Sequence, residues 1–162
     1  MLLKFQDGVV EVDRDLALKR CATLRLFAEA QDDLDEIEVP GKRAPFQRIV
    51  EIWNDLSRLN SMRMTEMRMV FHRVDAIPTA ELMEMAKTAH FLEYDGLDFV
   101  LWRLWTSTAL RADDLPLRLA SYEEFIVRIV DRRADELGMS QGLRTAFART
   151  VYPIYMNCNY TY

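Results

Sequence analysis

The chain of 162 residues is poor in several things at once: five glycines, five prolines, two cysteines, two histidines, and four lysines against 17 arginines. With so little Gly and Pro, half the residues apolar and 29% charged, a disordered, collagen-like or low-complexity chain is excluded. Cys21 and Cys158 allow one disulfide at most and form neither a CxxC pair nor a zinc spacing, so reduced thiols in an intracellular protein are expected. No apolar run approaches the roughly 18 residues a membrane helix needs, and neither a signal peptide nor a transmembrane segment is expected. Asn159-Tyr160-Thr161 is a formal glycosylation sequon, and Cys158 stands too early for a prenylation box. The net charge of −5 lacks the cation surplus of a general nucleic-acid binder. Five glycines form no phosphate loop, and no Ser/His/Asp or Cys/His set is recognisable. No catalytic, cofactor or metal residue is therefore assigned, and no enzyme is expected.

What remains is one domain's length, enough to bury roughly 70% of the unfolded chain's surface. Leu3, Phe5, Val10 and Val12 alternate around Asp7-Gly8, which predicts a two-stranded hairpin. Asp13 can cap a short helix carrying Leu16, Ala17 and Cys21, and a second helix from about Thr23 puts Leu24, Phe27 and Ala28 on one face. Ile37-Glu38-Val39 alternates as a third strand before the Pro40-Gly41 turn. Phe46, Ile49, Val50, Trp53 and Leu56 mark one face of a helix over 44–59, with Pro45 in its first turn.

Pro78-Thr79 opens a helix whose Leu82, Met83, Met85, Ala86, Ala89, Phe91 and Leu92 are too many for one stripe, so it is expected at the centre. Tyr94-Asp95-Gly96 breaks it, and Asp95 is expected to cap a following helix with Leu97, Phe99, Val100, Leu101, Leu104 and Trp105. Trp102 and Trp105, three apart, cannot both face fully inward unless that helix is buried all round. Further on, Asp113-Asp114-Leu115-Pro116 reads as a break. Ser121-Tyr122-Glu123-Glu124 precedes Phe125, Ile126, Ile129 and Val130 like a capping box, and Gly138-Met139-Ser140 is a stop. A last helix is expected over Gln141–Tyr152, then a tail with tyrosines at 152, 155, 160 and 162, apolar enough to dock.

Three composition features have bland readings. The acidic stretch Gln31–Glu36 lacks the glycine and oxygen spacing of a calcium loop and reads as a solvated connector. The arginine excess is spread beside Asp and Glu and reads as ordinary surface cations. Met62, Met64, Met67 and Met69 alternate with Arg and Glu; paired M-x-M units would suit Cu(I), but flexible methionines filling an irregular gap or contact surface are the better account.

The order of these elements, and several strings in them, resembles the BTB/POZ fold and its small adaptor branch that includes elongin C and the Skp subunit of SCF ubiquitin ligases. FQDGVVEVDRDLA is similar to the family's S-D-G-x-x-F-x-V-x-x-x-x-A, and Thr23-Leu24-Arg25 with Phe27 occupies its T-I-K-x-M positions. The acidic stretch sits where Skp adaptors carry theirs, and Val39-Pro40 with Ala44, Val50 and Trp53 resembles the Skp run L-P-x-x-x-A-x-x-x-x-x-V-x-x-W. FHRVD (71–75), then Leu82, Glu84, Ala89, His90, Phe91, Leu92, Glu93, Gly96 and Leu97, is similar to F-L-K-V-D and L-x-E-x-x-x-A-A-N-Y-L-D-x-x-G-L. The likeness covers residues 2–58 and 71–110. Segment 59–70 departs from it, His90 stands where the family has Asn, the T-P-E-E-I motif is only echoed at 121–125, and the Tyr-rich tail replaces the terminal W-C-x-x.

The resemblance implies an α+β fold: a BTB/POZ (Skp-like) domain over 1–110, with a small three-stranded sheet flanked by helices, and a C-terminal helical extension over 111–162 packed on it. It implies a non-enzymatic, cytoplasmic or nuclear adaptor that bridges a cullin-type scaffold to an F-box-like receptor in a ubiquitin ligase. His90 and Phe91 would meet the scaffold, although Phe91 is equally readable as core. Leu97, Val100, Leu101, Leu104, Trp105, Phe125 and Ile129 would form the receptor-helix interface, or the C-terminal helices would cover that surface within the chain. The alternative is a BTB-type homo-oligomerisation domain, so a homodimer is open; the dimerising domains generally begin with an extra N-terminal helix, and this sequence starts in its first strand.

Overall fold

The computed structural model describes the backbone of residues 1–30, 36–58, 61–108, 122–125 and 129–159, and their side chains apart from those of 56, 122, 125 and 154–159. The expected break at 113–116, Ser121, most of the acidic stretch, and Tyr160 and Tyr162 lie outside the described residues.

Strands β1 (Leu2–Phe5) and β2 (Gly8–Glu11) pair antiparallel with Phe5 opposite Gly8. The loop is therefore Gln6-Asp7, one residue earlier than the Asp7-Gly8 pair expected. Gly8 instead opens β2 at φ +140°, where a side chain would be strained, and the Asp7 carboxylate accepts the Arg43 N–H at 2.8 Å. Strand β3 (Glu36–Glu38) runs parallel to β1 on its other side, giving the order β2-β1-β3. Leu3, Phe5 and Ile37 point into the core, while Lys4 faces water opposite Glu38.

A parallel pair needs a crossover. Here it passes through α1 (Arg14–Arg20), which Asp13 caps by accepting the Leu16 N–H at 2.8 Å, and α2 (Ala22–Ala30). Of the face expected on α2, only Leu24 is buried. Phe27 is 41% exposed and Ala28 half-buried, because α2 packs chiefly on the short α1, which covers too little of it.

Helix α3 (Arg43–Ser57) turns Phe46, Ile49, Ile52 and Trp53 inward; Ile52 takes the place expected of Val50, which is half-buried. The Met-rich segment leads into α4 (Met64–Asp75). Central α5 (Thr79–Phe91) buries Leu82, Met83, Met85, Ala86, Thr88 and Ala89, and packs most extensively on α6 (Leu97–Ser107) and on α3. After α7 (Tyr122–Phe125), α8 (Asp131–Leu137) stops at Gly138, which adopts φ +66°. Helix α9 (Gln141–Asn159) does not stop at Tyr152 but continues through Pro153. An interior proline costs about 3 kcal/mol; Leu143, Phe147, Ala148 and Val151, all buried, anchor the turns before it. The class is mixed α+β with a small three-stranded sheet, as expected, and one continuous core joins the sheet to α9.

Candidate protein-interaction surface

The turn that follows α5 carries two of the residues singled out in the sequence. Leu92 caps the helix and Glu93 follows at φ +47°, in the left-handed region. The Tyr94 N–H returns to the Ala89 carbonyl at 2.9 Å and the Glu93 N–H to that of His90 at 3.2 Å, the two-bond Schellman pattern. Glycine is the usual occupant of Glu93's position, and the non-glycine residue held there stores backbone strain.

The next carbonyls reach across to α2. Glu93 accepts the Ala22 N–H and Leu92 the Thr23 N–H, both at 3.3 Å, and the Phe91 carbonyl accepts the Thr23 hydroxyl at 2.8 Å. Helix ends leave donors at one terminus and acceptors at the other without partners, and here the two sets satisfy each other. The Asp95 N–H donates to the Arg20 carbonyl at 3.0 Å, and Cys21 bridges to Tyr94. Asp95 does not cap α6; Gly96 stands at that position, and the carboxylate instead accepts from Arg20 at 2.9 Å. Burial, with the nearby Asp95 charge added, pushes the Cys21 thiol up to about 12, so it stays protonated and inert at neutral pH. Tyr94 is raised for the same two reasons.

His90 and Phe91 are both half-buried on this stitched turn. Phe91 packs against the core from outside, between the two roles open to it. The His90 ring lies against the start of α9, where a Cβ on Gly142 would stand 3.0 Å from its Cε1.

On α6, Val100, Leu101, Leu104 and Trp105 are buried within the chain, as is Ile129; Leu97 is half-buried, and the Phe125 side chain lies outside the described residues. Trp105 shows what covers this face. The Arg133 guanidinium of α8 sits 4.0 Å from its ring centroid, and the Phe147 ring of α9 lies at 6.0 Å. Arg133 also donates to Thr108 at 2.9 Å, and Thr150 on α9 donates to Asp98 at 2.6 Å. Of the receptor-facing residues of the resemblance, Trp105 is thus covered by the chain's own C-terminal helices. Trp102, one turn earlier on α6, stays 38% exposed beside Phe99, on a groove of about 720 Å³ bordered by Ala146, Arg149 and Pro153 of α9.

Arg103 was missed in the sequence. It is buried, donates to the Val74 and Asp75 carbonyls at 3.5 and 3.3 Å and to Thr106, and pairs with Asp75 at 3.5 Å. A cation at the carbonyl end of a helix is favourable, so Arg103 holds the end of α4. An arginine inside Leu101-Trp102-Arg103-Leu104-Trp105 was the available signal.

Among the described residues no group of three His, Cys, Asp or Glu is arranged to hold a metal, and no helix is long and apolar enough to cross a membrane. No family model, curated protein or solved structure matches the chain.

Proposed function

We propose that this chain is a non-enzymatic adaptor of the BTB/POZ, Skp/elongin C-like type, with a cullin-type scaffold as partner at the His90–Phe91 turn. One observation carries the reading: the resembling strings run in the family's order through the hairpin, the α1–α2 pair, β3, α3, the end of α4 and α5, to Gly96-Leu97 after this turn. A small three-stranded sheet with a buried α5–α6 pair is compatible with it. Phe91, half-buried at the rim of the core, is an aromatic of the kind that dominates interface energy.

On the receptor side the proposal is narrower than the resemblance implied. Because Arg133 of α8 and Phe147 of α9 lie on Trp105, an F-box-like helix would reach that residue only by displacing them. A homo-oligomerisation domain is the second reading, favoured by the exposed Leu26 and Phe27 on α2.

The test is to titrate the purified chain with cullin N-terminal domains by calorimetry. A saturable complex that Phe91→Ala weakens about tenfold is expected, and absence of binding to every cullin tried overturns the ligase reading. Light scattering on the isolated chain addresses the second reading, since a stable dimer at low micromolar concentration would favour it.

A further inference from the structure

Helix α4 carries its apolar residues the wrong way round. Val70 and Val74 face inward at 2% and 4% exposure, while the larger Met64, Met69 and Phe71 stand 64%, 60% and 46% exposed. Met64, Arg68 and Phe71 follow at i, i+4 and i+7 along one stripe, and Met69 with His72 forms the next. A groove of about 580 Å³ on the Met69 side runs to the end of α3, lined by Arg58, Met62, Arg68 and Met69 and by the carboxylates of Asp55 and Glu66.

The charge on this face has a definite sign. Two of its carboxylates are paired with arginines, Asp55 with Arg73 at 2.6 Å and Asp75 with Arg103 at 3.5 Å, while Glu66, which accepts the Arg63 backbone N–H at 2.8 Å, keeps its charge against the three arginines Arg58, Arg63 and Arg68. Arg58, Arg63 and Arg68 are exposed, and among the described residues they form no ion pair. A chain of net charge −5 thus presents a locally cationic strip beside flexible thioethers. Polarisable, adaptable methionines suit an apolar helix face, and free guanidiniums suit carboxylates on its flanks.

We infer that the outer face of α4 is a docking surface for an acidic amphipathic helix of a partner protein. Met64 and Phe71 on one side of Arg68 and Met69 on its other side take its apolar residues, and Arg58, Arg63 and Arg68 take its carboxylates. This surface is separate from the turn at 90–97 and does not depend on the adaptor reading.

The test uses two fluorescein-labelled peptides with leucines at helical spacing, one carrying glutamates at the remaining positions and one carrying lysines. Fluorescence anisotropy with the full chain should show saturable micromolar binding of the glutamate peptide that weakens as salt is raised, with the lysine peptide bound about tenfold or more weakly. Met69→Glu and Arg68→Glu, both on exposed positions, should each lose about tenfold, and Arg58→Glu, on a different element, should act in the same direction. Equal binding of the two peptides overturns the inference, as does absence of saturation with the glutamate peptide or indifference to all three substitutions. Concentration-dependent self-association abolished by Met69→Glu also overturns it, by assigning the face to a second copy of the chain.

Discussion

Arg20 donates from Nη1 to the Asp95 carboxylate at 2.9 Å across 75 residues of sequence, while its Nη2 donates to Ser57 Oγ at 2.8 Å. The same guanidinium lies 5.8 Å from the Trp53 ring centroid, and Trp53 stacks in turn at 5.6 Å on Tyr94. One arginine therefore ties the end of α1 to the end of α3 and to the turn between α5 and α6.

Removing the carboxylate tests that tie. Both side chains are partly exposed, so Asp95→Ala should cost about 1 kcal/mol rather than the several of a buried pair. The check is the urea midpoint at unchanged slope, and a cost equal in Arg20→Ala and in the double variant would show that the two residues act together.

Glu93 at φ +47° makes the opposite prediction. Glu93→Gly relieves the strain of the left-handed position and should stabilise by about 0.5–1 kcal/mol, while Glu93→Val should destabilise. Denaturant unfolding of the two variants gives the sign directly, and a loss on Glu93→Gly would contradict the conformation of this turn.

Cys21 predicts an alkaline limb in stability. Its thiol is raised from 9.0 to about 12 in the folded chain, so above about pH 9 the unfolded chain releases a proton that the folded one keeps. The stabilisation is whole below pH 9 and is lost as pH rises through about 12; the raised Tyr94 adds in the same direction. Cys21→Ala should flatten this limb in pH-dependent melting, and native Cys21, in a Cys158→Ser background, should resist alkylation until the chain is unfolded.

The three tryptophans differ in access: Trp53 is 4%, Trp105 7% and Trp102 38% exposed. Acrylamide should therefore quench one strongly accessible component, and Trp102→Phe should remove it. Trp105→Ala, by emptying the contact with Arg133 and Phe147, should cost about 3–5 kcal/mol. An accessible Trp105 in quenching would mean that α8 and α9 do not cover α6 in solution.

The elements whose identity is local were legible without a structure. Alternation at Leu3 and Phe5, the helical spacing of Phe46, Ile49 and Trp53, the cap at Asp13 and the stop at Gly138 each arise from a few neighbouring residues, and each appears as read, with Ile52 in place of Val50 on the α3 face. The surplus of apolar positions in α5 likewise announced a central helix. Of the candidate site, the sequence delimited the turn after α5.

Tertiary structure decided the rest, because periodicity reports which sides of an element are apolar and not what will cover them. Asp95 suits a helix cap by type, yet Arg20 comes within 2.9 Å of it only when α1 and the α5–α6 turn are packed together. Phe27 belongs to an apolar stripe that α1 is too short to cover. Trp105 had the same sequence context whether a partner or the chain itself lay on it, and the chain's own Arg133 and Phe147 took the place. The few glycines and prolines show the same division. Gly138 ends a helix where it stands, whereas Pro153 does not, because the buried turns before it on α9 outweigh the hydrogen bond it cannot make.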